Sequence, residues 1–311
     1  MSMTPRLALL MTIPPLLWAG NAVIGRLAVQ AMPALWLNAA RWAIALALLA
    51  PLGWRAVGTR EARARIGERW PHLALLSLTG VGAYNALQYM ALRTSTPLNA
   101  TLISASSPVV ALAIGAFFYG ERPRLMQLAG AGLSLLGVAL VLGRGDLTAL
   151  ARLHLVTGDL YMIAATLSWS VYSWLLARPP ASMRGGERPP WDWAQFLWVQ
   201  MLLGLGWATL AAGTADVVSP TPPVQWSPLL LLALAYIAIG PSLIAYRLWG
   251  LGVAQAGPAM AAFFINLIPL FAALLSAALL GEWPQPFHGL AFALIVGGIV
   301  VSSRRPAPAR A

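Results

Sequence analysis

Trp18 and Asn21 stand three residues apart in an otherwise apolar run, and Trp169, Tyr172 and Ser173 repeat that mixture of rings and hydrogen-bonding groups far down the chain. Tyr84 and Gln88, Thr101 and Ser104, Tyr246 and Asn266 are further polar or aromatic points inside apolar stretches. Residues three or four apart share one helix face, so each group presents its rings and polar atoms together, while Tyr246 and Asn266 stand singly in separate runs. Walls of indole and phenol carrying amide and hydroxyl points suit a small zwitterion with an apolar side chain. The same rings would also hold an organic cation by its face. Either way the chemistry is non-covalent capture. A buried amide is costly unless partnered, so these groups must face one another, water or a ligand. Hydrogen bonding between helices is the alternative to a binding cavity.

The missing chemistry narrows the reading further. The chain has no cysteine, which removes thiolate nucleophiles and cysteine-bound metals. His72, His154 and His288 are scattered at the edges of apolar runs, with no paired carboxylates. Acid–base or metal-assisted catalysis therefore has no constellation to work from, and a membrane-embedded enzyme is the remote alternative. No phosphate-binding Walker sequence occurs, which excludes ATP-driven transport by this chain alone. Glu61, Glu68, Glu121, Asp146, Asp159, Glu187, Asp192, Asp216 and Glu282 all fall in loops or near helix ends. A proton-driven cation pump keeps a carboxylate at the membrane midplane, so this distribution argues against drug efflux by that route. Arg41 and Arg247 are the charges inside apolar runs. Arg41 is placed either to pair with a substrate carboxylate or, the reading the sequence favours, to snorkel to the interface or pack between helices. Arg247, near one end of its run, is expected to snorkel.

The elements that must position these residues are membrane helices. Of 311 residues, 59% are hydrophobic and 9% charged, against about 25% charged in a soluble domain. Ten apolar runs of a length suited to the bilayer can be drawn, at 7–29, 33–53, 71–92, 97–119, 124–143, 155–177, 192–213, 227–250, 257–280 and 284–303. The first resembles a signal peptide, but it continues to Val29 and its tail recurs later, so it is read as a retained helix. The net charge of +11 comes with twenty basic residues, all arginine. They sit mainly in loops, where they set topology, so no nucleic-acid partner is inferred. With the N-terminus in the cytoplasm, Arg6, the Arg55–Arg69 cluster, Arg122, Arg124, Arg178, Arg184, Arg188, Arg304, Arg305 and Arg310 lie inside. Arg26, Arg93, Arg144 and Arg152 lie outside. Both ends are then cytoplasmic and the number of spans even. Trp70, Trp191, Trp193, Trp226 and Trp283 fall at the expected interfaces and read as membrane-belt residues.

A repeat orders the ten runs. The segment "TPLNATLISASSPVVALAIGAFFYGERP" (96–123) lies over "GPAMAAFFINLIPLFAALLSAALLGEWP" (257–284) at an offset of 161. Pro97, Pro108, Gly120, Glu121 and Pro123 pair with Pro258, Pro269, Gly281, Glu282 and Pro284, and Gly137 with Gly298. A weaker echo joins Trp18 to Trp169. Five helices per repeat is an odd number, so the second repeat enters the membrane from the opposite side. Arg122 and Arg124, cytoplasmic in the first repeat, accordingly become Trp283 and Gln285 in the second. Inverted repeats with a substrate site between the halves are the architecture of many secondary transporters. A mid-helix proline removes one hydrogen bond and obstructs another. Pro108 and Pro269, at matched mid-run positions, therefore mark a transport site or hinge, with a packing kink as the alternative. Pro241 and the Pro14–Pro15 pair lack matched partners.

The five-helix repeats, the Trp18-Ala19-Gly20-Asn21 segment and the proline followed by Gly-Glu-x-Pro after the 97–119 and 257–280 runs resemble the drug/metabolite transporter superfamily, EamA type. The nearest branch is the YddG-type amino-acid exporters. The resemblance covers nearly the whole chain. It implies an all-α polytopic membrane protein with two inverted five-helix repeats, residues 1–150 and 151–311, in a bacterial inner membrane. It further implies a central cavity lined by the first, third, fourth, sixth, eighth and ninth helices, with the fifth and tenth behind. The expected activity is export of aromatic and other neutral amino acids, or related small metabolites, by alternating access. Efflux of organic cations is the alternative, and a channel fits the paired prolines less well. The expected partners are a small-molecule substrate and the bilayer, with no cofactor and the oligomeric state left open.

Overall fold

Inside hydrocarbon a chain must satisfy its own backbone, and apolar runs without a closed barrel do so as helices. The computed structural model describes residues 4–91, 94–95, 97–148, 156–280 and 285–304, and every regular element among them is helical. Helices begin where a side chain takes up free N–H groups. Thr4 Oγ1 accepts from Leu7 N at 3.2 Å to open α1 (Pro5–Ala31). After α2 (Ala34–Gly53), the arginine-rich segment folds a short helix, α3 (Arg60–Glu68), which Thr59 Oγ1 caps by accepting from Ala62 N at 3.1 Å.

The next run is α4 (Trp70–Ser77), a π turn over Leu78–Ala83, and α5 (Tyr84–Ala91). The run after it splits at Ser106 into α6 (Pro97–Ala105) and α7 (Ser107–Tyr119). Then come α8 (Leu125–Leu142), α9 (Thr157–Ala177) and α10 (Trp193–Val218). A second π turn, Ala238–Ile244, joins α11 (Pro228–Ile237) to α12 (Ala245–Ala256). Finally α13 (Pro258–Ala262) tightens into a 3-10 segment, Phe263–Leu267, before α14 (Ile268–Leu280) and α15 (Pro286–Ser303). Among the described residues, eight helices are long and apolar enough to cross a membrane. The 70–91 stretch and the broken 97–119 stretch stand outside that number. The chain is an all-helical, multi-pass membrane protein.

The punctuation in the sequence has local causes. Gly120 takes φ +64°, the left-handed conformation that ends α7, and Glu121 N then bonds back to Gly115 O at 2.9 Å. Pro123 has no N–H with which to resume the helix. Gly281, Glu282, Trp283 and Pro284, the expected twins of this turn, lie outside the described residues. Pro108 falls on the first turn of α7 just after the break, and Pro269 just after the 3-10 segment. Pro241 has no matching proline, as expected, but the break it makes has a counterpart. Its π turn lies at the 161-residue offset from the one at Leu78–Ala83, where Gly80 takes the matching position. Pro241 offers no N–H to Ile237, and the Ser242 hydroxyl donates to that carbonyl instead, at 2.8 Å.

Packing follows small residues. α8 and α15 lie against each other with almost no side chain between them: a Cβ on Gly130 would meet Gly298 O at 2.5 Å, and one on Gly137 would meet Ala291 O at 2.9 Å. Ser134 Oγ donates to Ile295 O at 3.4 Å across the same seam. Positions 130, 134 and 137 each map onto 291, 295 and 298 by the same 161 residues, so the contact is reciprocal.

The loops at 54–69, 120–124 and 178–192 gather at one end. Arg69 donates to Ser182 O and Glu187 O, both at 2.9 Å, and Arg178 pairs with Glu121. Loop 219–227 and the α1–α2 turn meet at the other end through Gln225 N and Ala31 O, 2.8 Å apart. Trp70 and Trp226 are exposed, as belt residues should be, and Trp193 carries the Arg247 guanidinium over its ring at 4.8 Å. Trp191 departs from expectation: it is buried and stacked on Phe196, because the loops around it fold into a small core with Ala56, Leu73 and Met183.

Candidate functional site

α9 delivers Trp169 to the middle of the helix bundle, where its ring centre lies 5.2 Å from Trp18 on α1, 5.0 Å from Tyr84 on α5 and 5.1 Å from Tyr172 on its own helix. Tyr246 and Trp249 of α12 complete the cluster at 5.4 and 5.3 Å. Such offset and edge contacts are the favoured arrangements of aromatic rings. They form here because bulk meets absence of bulk: Gly80 leaves room for the Tyr172 ring, which a Cβ would approach to 2.3 Å. The walls expected to line a cavity pack on one another in this structure, and Trp169, Tyr172, Tyr246 and Trp249 are all buried. Admitting a ligand requires these rings to separate.

Most polar atoms here already have employment in the fold. The Tyr246 hydroxyl donates to Gly80 O at 2.5 Å and Trp18 Nε1 to Pro241 O at 3.2 Å, so the two π turns offer carbonyls at positions related by the 161-residue offset. The Tyr172 hydroxyl donates to Gln200 Oε1 on α10 at 3.1 Å. Ser173 Oγ accepts from Trp249 Nε1 at 3.1 Å and donates to Trp169 O at 2.9 Å. Four buried atoms on the expected site residues do not: Asn21 Oδ1, Trp169 Nε1, and Asn266 Oδ1 and Nδ2 have no partner among the described residues. Asn266 sits in the 3-10 segment before Pro269, and that segment packs against α1, which carries Asn21.

The structure thus brings Trp18, Tyr84, Trp169, Tyr172, Ser173 and Tyr246 together. Ser104 lies on the last turn of α6, beside the Tyr84 hydroxyl. Gln88 and Thr101 are half-buried, on α5 and α6. Trp249 was not anticipated, although its place three residues after Tyr246 puts it on the same face. Nor was Trp42, which meets Tyr246 edge-on at 5.0 Å and donates from Nε1 to Asn38 Oδ1 at 3.1 Å.

Of the two favoured readings of Arg41, snorkelling fails and packing between helices holds. It is 1% exposed, wholly inside the bundle. Its Nε donates to Ser242 Oγ at 3.0 Å, and its Nη1 to Asn85 Oδ1 at 3.0 Å and the Tyr89 hydroxyl at 3.5 Å. Sequence spacing could not reveal this, because Asn85 and Ser242 come from α5 and the second π turn. Among the described residues, no cluster of His, Asp and Glu could hold a metal ion.

A sequence profile of the EamA-like transporter family matches residues 6–143 and again 156–304. The chain is 28% identical to an uncharacterized transporter of Archaeoglobus fulgidus over 97% of its own length and 99% of that protein's. It is also 28% identical to the aromatic amino acid exporter YddG of Ancylobacter novellus, over 75% of each chain. A solved crystal structure at 25% identity superposes with a TM-score of 0.74, covering 96% of this chain and 97% of the other.

Proposed function

This chain belongs to the EamA-like transporter family, and from that premise we propose that it exports amino acids, aromatic and other neutral ones, or related small metabolites. The observation that carries the substrate reading is the aromatic cluster with its four unpartnered polar atoms. A zwitterion supplies what each atom lacks. Its ammonium donates to Asn21 Oδ1 and Asn266 Oδ1, its carboxylate accepts from Trp169 Nε1 and Asn266 Nδ2, and its side chain lies against the rings. An organic cation would leave both donors empty. The similarity to an aromatic amino acid exporter supports the same reading.

The proposed mechanism is alternating access between two inverted five-helix repeats, residues 1–150 and 151–311. The reciprocal α8–α15 seam, the paired π turns and the breaks just before Pro108 and Pro269 support it. So does the double match of the family profile. In this reading the packed rings are an occluded state, and Pro108 and Pro269 are hinges. The end that gathers Arg55–Arg69, Arg122, Arg124 and Arg178–Arg188 faces the cytoplasm of a bacterial inner membrane, with both termini.

Uptake of labelled tryptophan, phenylalanine, threonine and methionine into proteoliposomes tests this, with and without a pH gradient. We expect saturable uptake and counterflow of at least one, without a gradient, because the described carboxylates lie in loops or terminal turns. No uptake of any, in vesicles shown to hold folded protein, removes the amino-acid reading. Flux that neither saturates nor exchanges makes the chain a channel.

A further inference from the structure

A guanidinium has five N–H donors and stays charged at any pH the protein meets. Arg41 places three neutral acceptors, Ser242, Asn85 and Tyr89, on its Nε and Nη1. These bonds run through Nε and Nη1 and none through Nη2, and the ion pairs between described residues are Arg69–Glu68 and Arg178–Glu121, both in the loops. A buried charge without a counter-charge is among the costliest features a fold can keep. Here it is held in place from three elements, α2, α5 and the second π turn, so its position is built rather than incidental.

The guanidinium adjoins the aromatic cluster. Trp42 meets Tyr246 edge-on at 5.0 Å, and Tyr246 meets Trp169 at 5.4 Å. The Tyr246 and Tyr84 hydroxyls both lie within electrostatic reach of Arg41. The interior next to the rings is therefore positive, with donor capacity to spare and no anion of its own. This is the inverse of a site for organic cations.

We propose that Arg41 is the carboxylate anchor of the substrate site, selecting solutes that carry a carboxylate over amines with the same side chain. The inference rests on the transporter reading above but separates from it, since it concerns the anion and not the amino group. When the rings part to admit substrate, one carboxylate oxygen takes the open Nη2 side of Arg41 while the other keeps the Trp169 Nε1 and Asn266 Nδ2 donors, and the buried charge is neutralised. In the empty carrier the cation has only neutral acceptors and the Trp42 ring face, 5.1 Å from Cζ; the loaded carrier adds a counter-charge. Because Arg41 bonds to Ser242, substrate charge is also felt at the π turn of the helix that carries Tyr246 and Trp249.

Three ligands with one side chain test the idea on the purified, full-length protein: phenylalanine, 3-phenylpropionate and phenethylamine. Binding is read by tryptophan fluorescence and by ligand-induced thermal shift. The expected result is that both carboxylates bind and phenethylamine binds at least about tenfold more weakly, the factor expected for a charge-assisted hydrogen bond. Arg41→Gln, checked for monodisperse folding, should lose that preference. Arg41→Lys, which keeps the charge without the fork, should retain part of it, so the comparison survives if Arg41→Gln fails to fold. Phenethylamine binding as well as the carboxylates, or a preference unchanged in both variants, overturns the proposal while leaving amino-acid transport standing. Arg41-dependent binding of 3-phenylpropionate alone, with no phenylalanine binding, supports the anchor and overturns the amino-acid reading. Binding of neither carboxylate overturns both.

Discussion

Asn266 is 1% exposed, and neither its oxygen nor its nitrogen has a partner among the described residues. A buried polar group left unsatisfied costs about 1–3 kcal/mol, and replacing it with an apolar group of similar shape recovers that. We therefore expect Asn266→Leu to raise the melting temperature of the substrate-free protein by a few degrees while cutting transport severely. A drop in both would make the amide a structural bond. Trp169 calls for a gentler change, because it touches five rings and its loss would collapse the cluster. Trp169→Phe keeps a ring and deletes only the unpartnered Nε1–H. Its expected effect is a KM raised roughly two- to tenfold, the worth of one neutral hydrogen bond, at nearly unchanged stability; uptake kinetics and a melting curve decide.

At the scale of elements, the two π turns do more than bend their helices. Each leaves a carbonyl to accept a side-chain bond, Gly80 O from Tyr246 and Pro241 O from Trp18, and so ties the cluster to the backbone. Gly80 also makes room for Tyr172. Gly80→Ala would force that ring aside, and forced overpacking costs about 1–3 kcal/mol. We expect a lower melting temperature and altered transport from Gly80→Ala. Gly132→Ala, whose Cβ would meet nothing within 4 Å, should leave both unchanged. Equal effects from the two variants would mean that glycine matters here for something other than the space it leaves.

For the whole molecule, the α8–α15 seam joins a helix from the middle of the chain to its last described helix, and neither carries a ring of the cluster. A Cβ on Gly298 would meet Ser134 Oγ at 2.4 Å and Gly130 O at 2.5 Å. Gly298→Leu should therefore destabilise the fold by about 1–3 kcal/mol or more yet leave the KM of the surviving folded protein where it was. A changed KM would show that the seam takes part in the transport cycle.

Much of this protein can be read from its sequence, because hydrocarbon imposes hard rules. Low charge and apolar length demand membrane helices, the Gly-Glu-x-Pro turn marks where α7 stops, and Trp18 and Trp169, echoes of one another in the text, do meet in space. Spacing on one helix also picked out Tyr84, Tyr172 and Ser173, and Tyr246 stood out alone as a polar ring in an apolar run; all four meet in the ring cluster. It could not assign their hydroxyls, since the acceptors, Gly80 O and Gln200 Oε1, come from other helices. It could not find the π turns either, for Gly80 and Pro241 mark a weakened helix without saying which backbone bonds are given up. Only the tertiary structure decided which polar atoms are spent on the fold and which remain free, and it decided for Arg41 between the interface and a place packed among helices. The reason is the same in each case. Periodicity states which way a side chain leaves its own helix, whereas a hydrogen bond or a buried charge depends on what another helix brings to meet it.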